Sequence, residues 1–379
     1  MHRFTAWFQC VCALLFLLAI SSEVAGAQTA LHVFYFTSNS TITTYNVDPT
    51  GVPTQVGSPL TIAGAQWIGN IWPSPNDHFI YVLWPDANYK YSLSVYDTDA
   101  SGVPQSTPVQ TFAAPSWQML IHNSGKYAYV IKTHSGSNGY SENLYLYHIN
   151  QTTGALTQDP KIQATYGPDY YYLESLVSIN KAGTRLYDLW SVSFDGENNY
   201  YYSYHPINTT TGQLSPDVGT IFTASNYTGL DEQYFTTNYI LNLDNQNSGP
   251  SVLNVYPNVK NPQQPLFTCT QSMLNACGTA YNYWLSVDEQ YVFLPETGDI
   301  AIGRIEGSTN QIVETGTIPA PNYVYLFPFG PDNRLIYADE GGGLIQIYLF
   351  NSVQGTVTNG GTITFNPAES YSLYPAIRR

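Results

Sequence analysis

Four carboxylates, Glu174, Asp231, Glu232 and Glu369, are the acidic residues best placed to do chemistry, because each falls near the start of a short strand, beside aromatic or amide side chains. Two of them brought together with separated pKa values would supply an acid and a base for water attack on an ester. The same oxygens, or the acidic loop from Asp195 through Glu197 to Asn199, could instead hold a Ca²⁺ ion. No motif calls for another cofactor. A second set, Trp67, Trp117, Gln118, Asn282, Trp284 and Tyr323, puts aromatic rings and amides at matching positions. Rings that stack and amides that both donate and accept suit a neutral or cationic polar ligand such as a sugar. The competing reading is that the rings fill wedges between structural units and the amides satisfy strand ends.

Other motifs narrow the chemistry. The histidines His32, His78, His122, His134, His148 and His205 form no His-x-x-x-His pair, and none neighbours a Gly-x-Ser-x-Gly nucleophile turn. His122 precedes a turn and reads as a strand-end hydrogen bonder. Gly341-Gly342-Gly343 lacks a following Lys-Ser/Thr, so it reads as a hairpin and not a phosphate loop. Cys269 and Cys277 have no nearby His for a zinc site and no Cys-x-x-Cys spacing, which leaves a local disulfide. Sequons stand at Asn39, Asn150, Asn208 and Asn226.

The leader and the charge set the compartment and exclude partners. His2 and Arg3 precede an apolar run from Cys10 to Ile20, and Ala25-Gly26-Ala27 follows as a signal-peptidase site, with cleavage expected before Gln28. That run would rise only about 16 Å as a helix, short of a bilayer core of about 30 Å. The expectation is removal of residues 1–27, a single domain over 28–379, and a secreted or periplasmic monomer with no membrane span. Twelve Lys and Arg against 27 Asp and Glu, net −15, argue against nucleic acid, and 15% aromatic residues argue against disorder.

The elements that must position these residues repeat along the chain. Each unit has an apolar strand, a loop, a Tyr-rich alternating strand and a turn ending in Gly: Phe79-Ile-Tyr-Val-Leu, then Ser92-Leu-Ser-Val-Tyr, then Ser101-Gly102, for example. Equivalent turns end at Gly51, Gly154 and Gly212, and weaker copies run from Tyr239 to Tyr256, Tyr291 to Ile305 and Leu335 to Leu349. With one more short strand between units, this predicts an all-β, seven-bladed β-propeller of four antiparallel strands per blade. The first unit starts at its second strand, and Tyr371-Ser-Leu-Tyr-Pro supplies the missing first, closing the ring. Long loops are expected on one face, the top: Pro85 to Tyr91, Thr133 to Glu142, Ser191 to Asn199 and Asp244 to Pro250.

Read from Gly125 to Thr157, the unit Gly-Lys-Tyr-Ala-Tyr-Val … Leu-Tyr-Leu-Tyr-His-Ile-Asn-x-Thr-Thr-Gly-Ala-Leu-Thr resembles the seven-bladed lactonase family, which includes 6-phosphogluconolactonase and the carboxymuconate-lactonising enzyme. The resemblance implies the propeller and a lactone-opening activity. Where that family carries a Pro-His pair before the turn Gly, this chain reads Ser116-Trp117. Arg185, Arg304 and Arg334 fall away from the channel, so no catalytic residue is carried over.

Overall fold

A computed structural model describes residues 31–378 except 77, 115–117, 137–138, 167–170, 195–196, 216–219, 226–231, 236–237, 245–251, 258–264, 271–276, 278–282, 287, 296–297, 307–308, 310, 320–324, 328–333, 340–341 and 367–370. For 31, 133–141, 171–177, 189–202, 220–225, 232–235, 243–244, 325–327, 339, 371, 375 and 377–378 the description is of the backbone alone.

The strands follow from where apolar residues run without interruption. Phe79–Pro85 and Tyr291–Pro295 are buried almost throughout, because a second strand is covered by neighbouring blades on both faces. The outermost strands, such as Pro53–Thr61, are mostly exposed and correspondingly polar. Seven four-stranded antiparallel sheets result, each a meander in sequence order except the first. In that sheet Tyr371–Arg378 is the innermost strand, pairing antiparallel with Leu31–Ser38 from Leu31↔Arg378 to Ser38↔Tyr371. The weaker copies are blades five to seven, with second strands Tyr239–Asp244, Tyr291–Pro295 and Leu335–Asp339. Contacts run from blade to blade and from the seventh back to the first, closing the ring.

The core lies between blades. One cluster joins Phe79, Tyr81 and Leu83 of blade two to Ala128, Val130, Tyr145 and Tyr147 of blade three. Tyrosines of second strands then reach the glycine turn of the next blade: Tyr35 Oη donates to the Gly102 carbonyl at 3.0 Å, Tyr81 to Gly154 at 3.1 Å and Tyr129 to Gly212 at 2.7 Å. Burial holds the Tyr81 and Tyr129 phenols well above their ordinary pKa. Gly154 takes φ +71, and a Cβ there would sit 2.5 Å from the Phe79 ring. The turn glycines therefore supply the close approach of adjacent blades as well as positive φ.

Two expected loops are corrected. In the stretch Thr133 to Glu142 the strands Tyr127–Gly136 and Gly139–Ile149 run on until Gly136 pairs with Gly139, leaving two residues between them. In the stretch Ser191 to Asn199 the strands Arg185–Phe194 and Glu197–Pro206 also pair to their ends. Polar composition does not end a ladder, since the hydrogen bonds belong to the backbone, and Asp195-Gly196 is a tight-hairpin sequence. Pro85 to Tyr91 is a loop as expected; most of Asp244 to Pro250 lies outside the described residues.

Candidate functional site

The top-face site is built where chain crosses from blade one to blade two. A two-residue turn joins Leu31–Ser38 to Thr41–Val47, with Asn39 at φ 50, a conformation Asn tolerates better than most residues. The Asn39 carbonyl accepts from the Ile68 N–H at 2.8 Å, while Gln66 N–H donates to Pro85 O at 2.9 Å and Gly69 N–H to Leu83 O at 2.7 Å. The crossing segment is thereby tied to both blades. Between them lies a concavity of about 460 Å³ lined by Thr37, Asn39, Gln66, Trp67, Ile68, Gly69 and Ser372. Thr37 and Ser372 are bonded to each other, Ser372 N–H donating to Thr37 Oγ1 at 3.1 Å.

The aromatic wall has a support of its own. Trp67 is half-buried, and its indole meets the Tyr89 ring edge-on at a centroid distance of 5.7 Å. Tyr89 is 70% exposed on the loop from Asp86 to Lys90, where Asp86 Oδ1 accepts from the Lys90 and Asn88 N–H groups at 3.0 and 2.8 Å. Those bonds, the Lys90 one foremost, hold the Asp86 carboxyl below its ordinary pKa. The concavity thus offers a stacking surface with amides and hydroxyls at its edge, and no carboxylate among its described lining residues.

The remaining expected site residues are placed as follows. Gln118 is half-buried just before the inner strand Met119–Ile121 of blade three. Trp284 lies in the inner strand Trp284–Leu285 of blade six, half-buried and packed on the cluster that contains Tyr291 and Phe293. Trp117, Asn282, Tyr323, Asp231 and Glu369 lie outside the described residues. Glu174 and Glu232 are described as backbone only: Glu232 begins the inner strand of blade five, and the ladder of blade four skips Glu174 between Leu173 and Ser175. The expected leader, residues 1–27, and Asn226 and Asp195 are likewise outside the description. The Cys269–Cys277 disulfide is formed. Among the described residues no group of three His, Cys, Asp or Glu converges as a metal site would require, and no helix is long and apolar enough to cross a membrane.

A cluster that no sequence motif announced has the residue types of a hydrolase triad. Asp188, on the second strand of blade four, is fully buried with Ser203 and His205 of the third strand. Ser203 Oγ donates to Asp188 Oδ1, His205 Nε2 lies 3.0 Å from Asp188 Oδ2, and Tyr166 Oη of blade three donates to the same Oδ2. The aspartate, not the histidine, is central. The serine gives its hydrogen to the carboxylate and not to the imidazole, which is not the relay of a Ser-His-Asp triad, and the cluster is buried away from any substrate. It is an interblade polar strut. Strand pairing of Leu186 with His205 and of Asp188 with Ser203 puts all three on one face, a signal readable only once register is known.

His122 and the sequon residues Asn150 and Asn208 take structural places. His122 Nε2 donates to Gly183 O at 2.8 Å, linking the turns of blades three and four, and its Nδ1 accepts from Ser124. Asn150 and Asn208 use their Oδ1 atoms to accept from backbone N–H groups of their own turns.

Fold and site define a closed, seven-bladed β-propeller with a polar, aromatic-walled concavity on its top face. No family model and no curated protein matches the chain. Solved structures do. A periplasmic gluconolactonase from Pseudomonas aeruginosa superposes with TM-score 0.55 at 12% identity, covering 90% of this chain and 99% of its own. A Bacteroides fragilis protein provisionally described as a 6-phosphogluconolactonase gives TM-score 0.53 at 15% identity, with 92% and 99% covered. A Lactobacillus plantarum protein gives 0.56 at 13% identity, with the same coverage. At these identities the likeness is one of fold: this chain shares the architecture of the lactonase-type propellers.

Proposed function

We propose that this chain is an exported propeller that binds a small, neutral, polyhydroxylated ligand at the top-face channel mouth. The observation that carries this reading is the concavity beside Trp67, in which an indole wall is bordered by Asn39, Gln66 and hydroxyl-bearing Thr37 and Ser372, with no charged residue among the described lining. Hydroxyl recognition by amides needs no ion pair, so affinity should vary little with salt. Trp117, Gln118, Asn282, Trp284 and Tyr323 would extend the platform around the mouth. The Cys269–Cys277 bridge supports an oxidising compartment. Calorimetry of the protein against a panel of sugars and polyols tests the reading. Trp67→Ala should weaken binding by about 1–3 kcal/mol, and failure of every polyol to bind the folded wild type would sink it.

A second reading rests on Glu174, the residue passed over by the ladder of blade four's inner strand, since bulges re-aim side chains next to active sites. There the protein would open an unphosphorylated lactone by carboxylate-assisted water attack. Acid release from lactones in a pH-stat, abolished by Glu174→Gln, would favour it over binding alone.

A further inference from the structure

A second cavity, of about 480 Å³, opens between blades two and three, away from the channel mouth. Its walls are the outer strand of blade two, Gln110–Ala113, and the three outer strands of blade three. Gln110 ties the walls together, donating to Leu156 O at 3.2 Å and accepting from Leu156 N–H at 2.8 Å. Among its described residues the lining is apolar at Phe112 and Leu156 and carries one cation, Lys132, with no carboxylate.

Lys132 is half-buried, and its ammonium lies 4.9 Å from the Tyr145 ring centroid and 5.7 Å from that of Tyr147. Its hydrogen-bond partner is the neutral Gln158 Oε1 at 2.5 Å, an oxygen that also accepts from Tyr147 Oη at 3.1 Å. An ammonium has three hydrogens to give, and the protein groups around this one are an amide oxygen and two ring faces, none of them an opposing charge. In a chain of net charge −15, a positive cavity lined by no acid is the reverse of the molecule's overall field.

We propose that this interblade cavity is a binding site for a small monocarboxylate with an apolar body. The carboxylate takes the free hydrogens of the Lys132 ammonium as a charge-assisted pair, and the apolar portion lies on Phe112 and Leu156. The surrounding negative charge disfavours multiply charged anions, which selects a single carboxylate.

The test is calorimetry at fixed ionic strength with phenylacetate and hexanoate against phenylacetamide and hexanamide, isosteres that lack the charge. Each acid should bind wild type at least about ten-fold more tightly than its amide, and Lys132→Met should erase that difference. Lys132→Gln gives a second reading if the methionine variant does not fold, and the acid–amide comparison on wild type decides if neither does. Trp67→Ala should leave carboxylate binding unchanged, so this site and the polyol site fail separately. Equal affinity for acid and amide, unaltered acid binding in a folded Lys132 variant, or loss of acid binding in Trp67→Ala overturns the proposal.

Discussion

Tyr81 and Gly154 meet across a blade boundary, the hydroxyl of one donating to the carbonyl of the other. Tyr81→Phe removes that buried hydrogen bond and should cost about 1–3 kcal/mol. Gly154→Ala should cost more than Tyr81→Phe, because it combines positive φ with a Cβ 2.5 Å from the Phe79 ring; urea denaturation of both variants checks the order. The buried Asp188 cluster makes a sharper claim. Asp188→Ala removes the acceptor shared by Ser203, His205 and Tyr166 and should destabilise by about 3–5 kcal/mol. Ser203→Ala should lower stability yet leave any hydrolytic rate of the folded protein intact; loss of turnover at unchanged stability would show that the serine is a nucleophile after all. Sequence could name Tyr81 and Gly154 as members of a repeat, since both recur with it. It could not pair them, because the partner lies 73 residues on and is chosen by how blades stack.

At the scale of elements, the turn between third and fourth strands was legible because its requirements are local. Gly51, Gly102, Gly154 and Gly212 all take positive φ, as the Thr-Gly and Ser-Gly spacing implies. The start of the same turn carries a signal that the glycines obscured: Asp48, Asp99, Asn150, Asn208 and Asn351 each use a side-chain oxygen to accept N–H groups two to four residues ahead. Hairpin ends at Gly136–Gly139 and Phe194–Glu197 were harder to place, because polarity marks solvent contact and not the end of a backbone ladder. The turns have an acid signature. Bonds from the Thr50 hydroxyl and the Val52 N–H hold Asp48 below its ordinary pKa of 3.8, and Asp86 is lowered by its own backbone bonds. A folded-state pKa below the unfolded one means stability that is present above about 3.8 and lost as pH falls through the folded value. Asp48→Asn keeps the acceptor, as Asn150 does naturally, so melting at pH 7 should not change. Below pH about 4 the variant should lose less stability than wild type, which melting curves between pH 2 and 7 would show.

At the scale of the whole molecule, ring closure was legible from one mismatch: a first unit without its inner strand and a surplus strand at the other end. Of the residues the sequence singled out, Trp67 is the one that lines the described concavity. Convergence of residues from different blades depends on the ring's curvature, which no spacing records. Closure also brings distant segments to the candidate site, since Thr37 and Ser372, partners in the closing pair, line the concavity with Trp67. Deleting Ala368 to Arg379 removes eight paired residues and the buried side chains of Leu373 and Ala376. At about 1.5–3 kcal/mol for a fully buried large aliphatic chain, the lost burial alone should exceed about 2 kcal/mol, before the unpaired ladder is counted. Two edges are then open, the Leu31–Ser38 strand and the flank of blade two that the closing strand contacted. Open edges pair with other chains, so the truncated protein should melt lower and elute as oligomers or aggregate in size-exclusion chromatography. Any fraction that stays monomeric should bind polyols more weakly than wild type through loss of Ser372, while Lys132-dependent carboxylate binding between blades two and three persists. A soluble monomer with unchanged melting would show that the ring does not depend on its last strand.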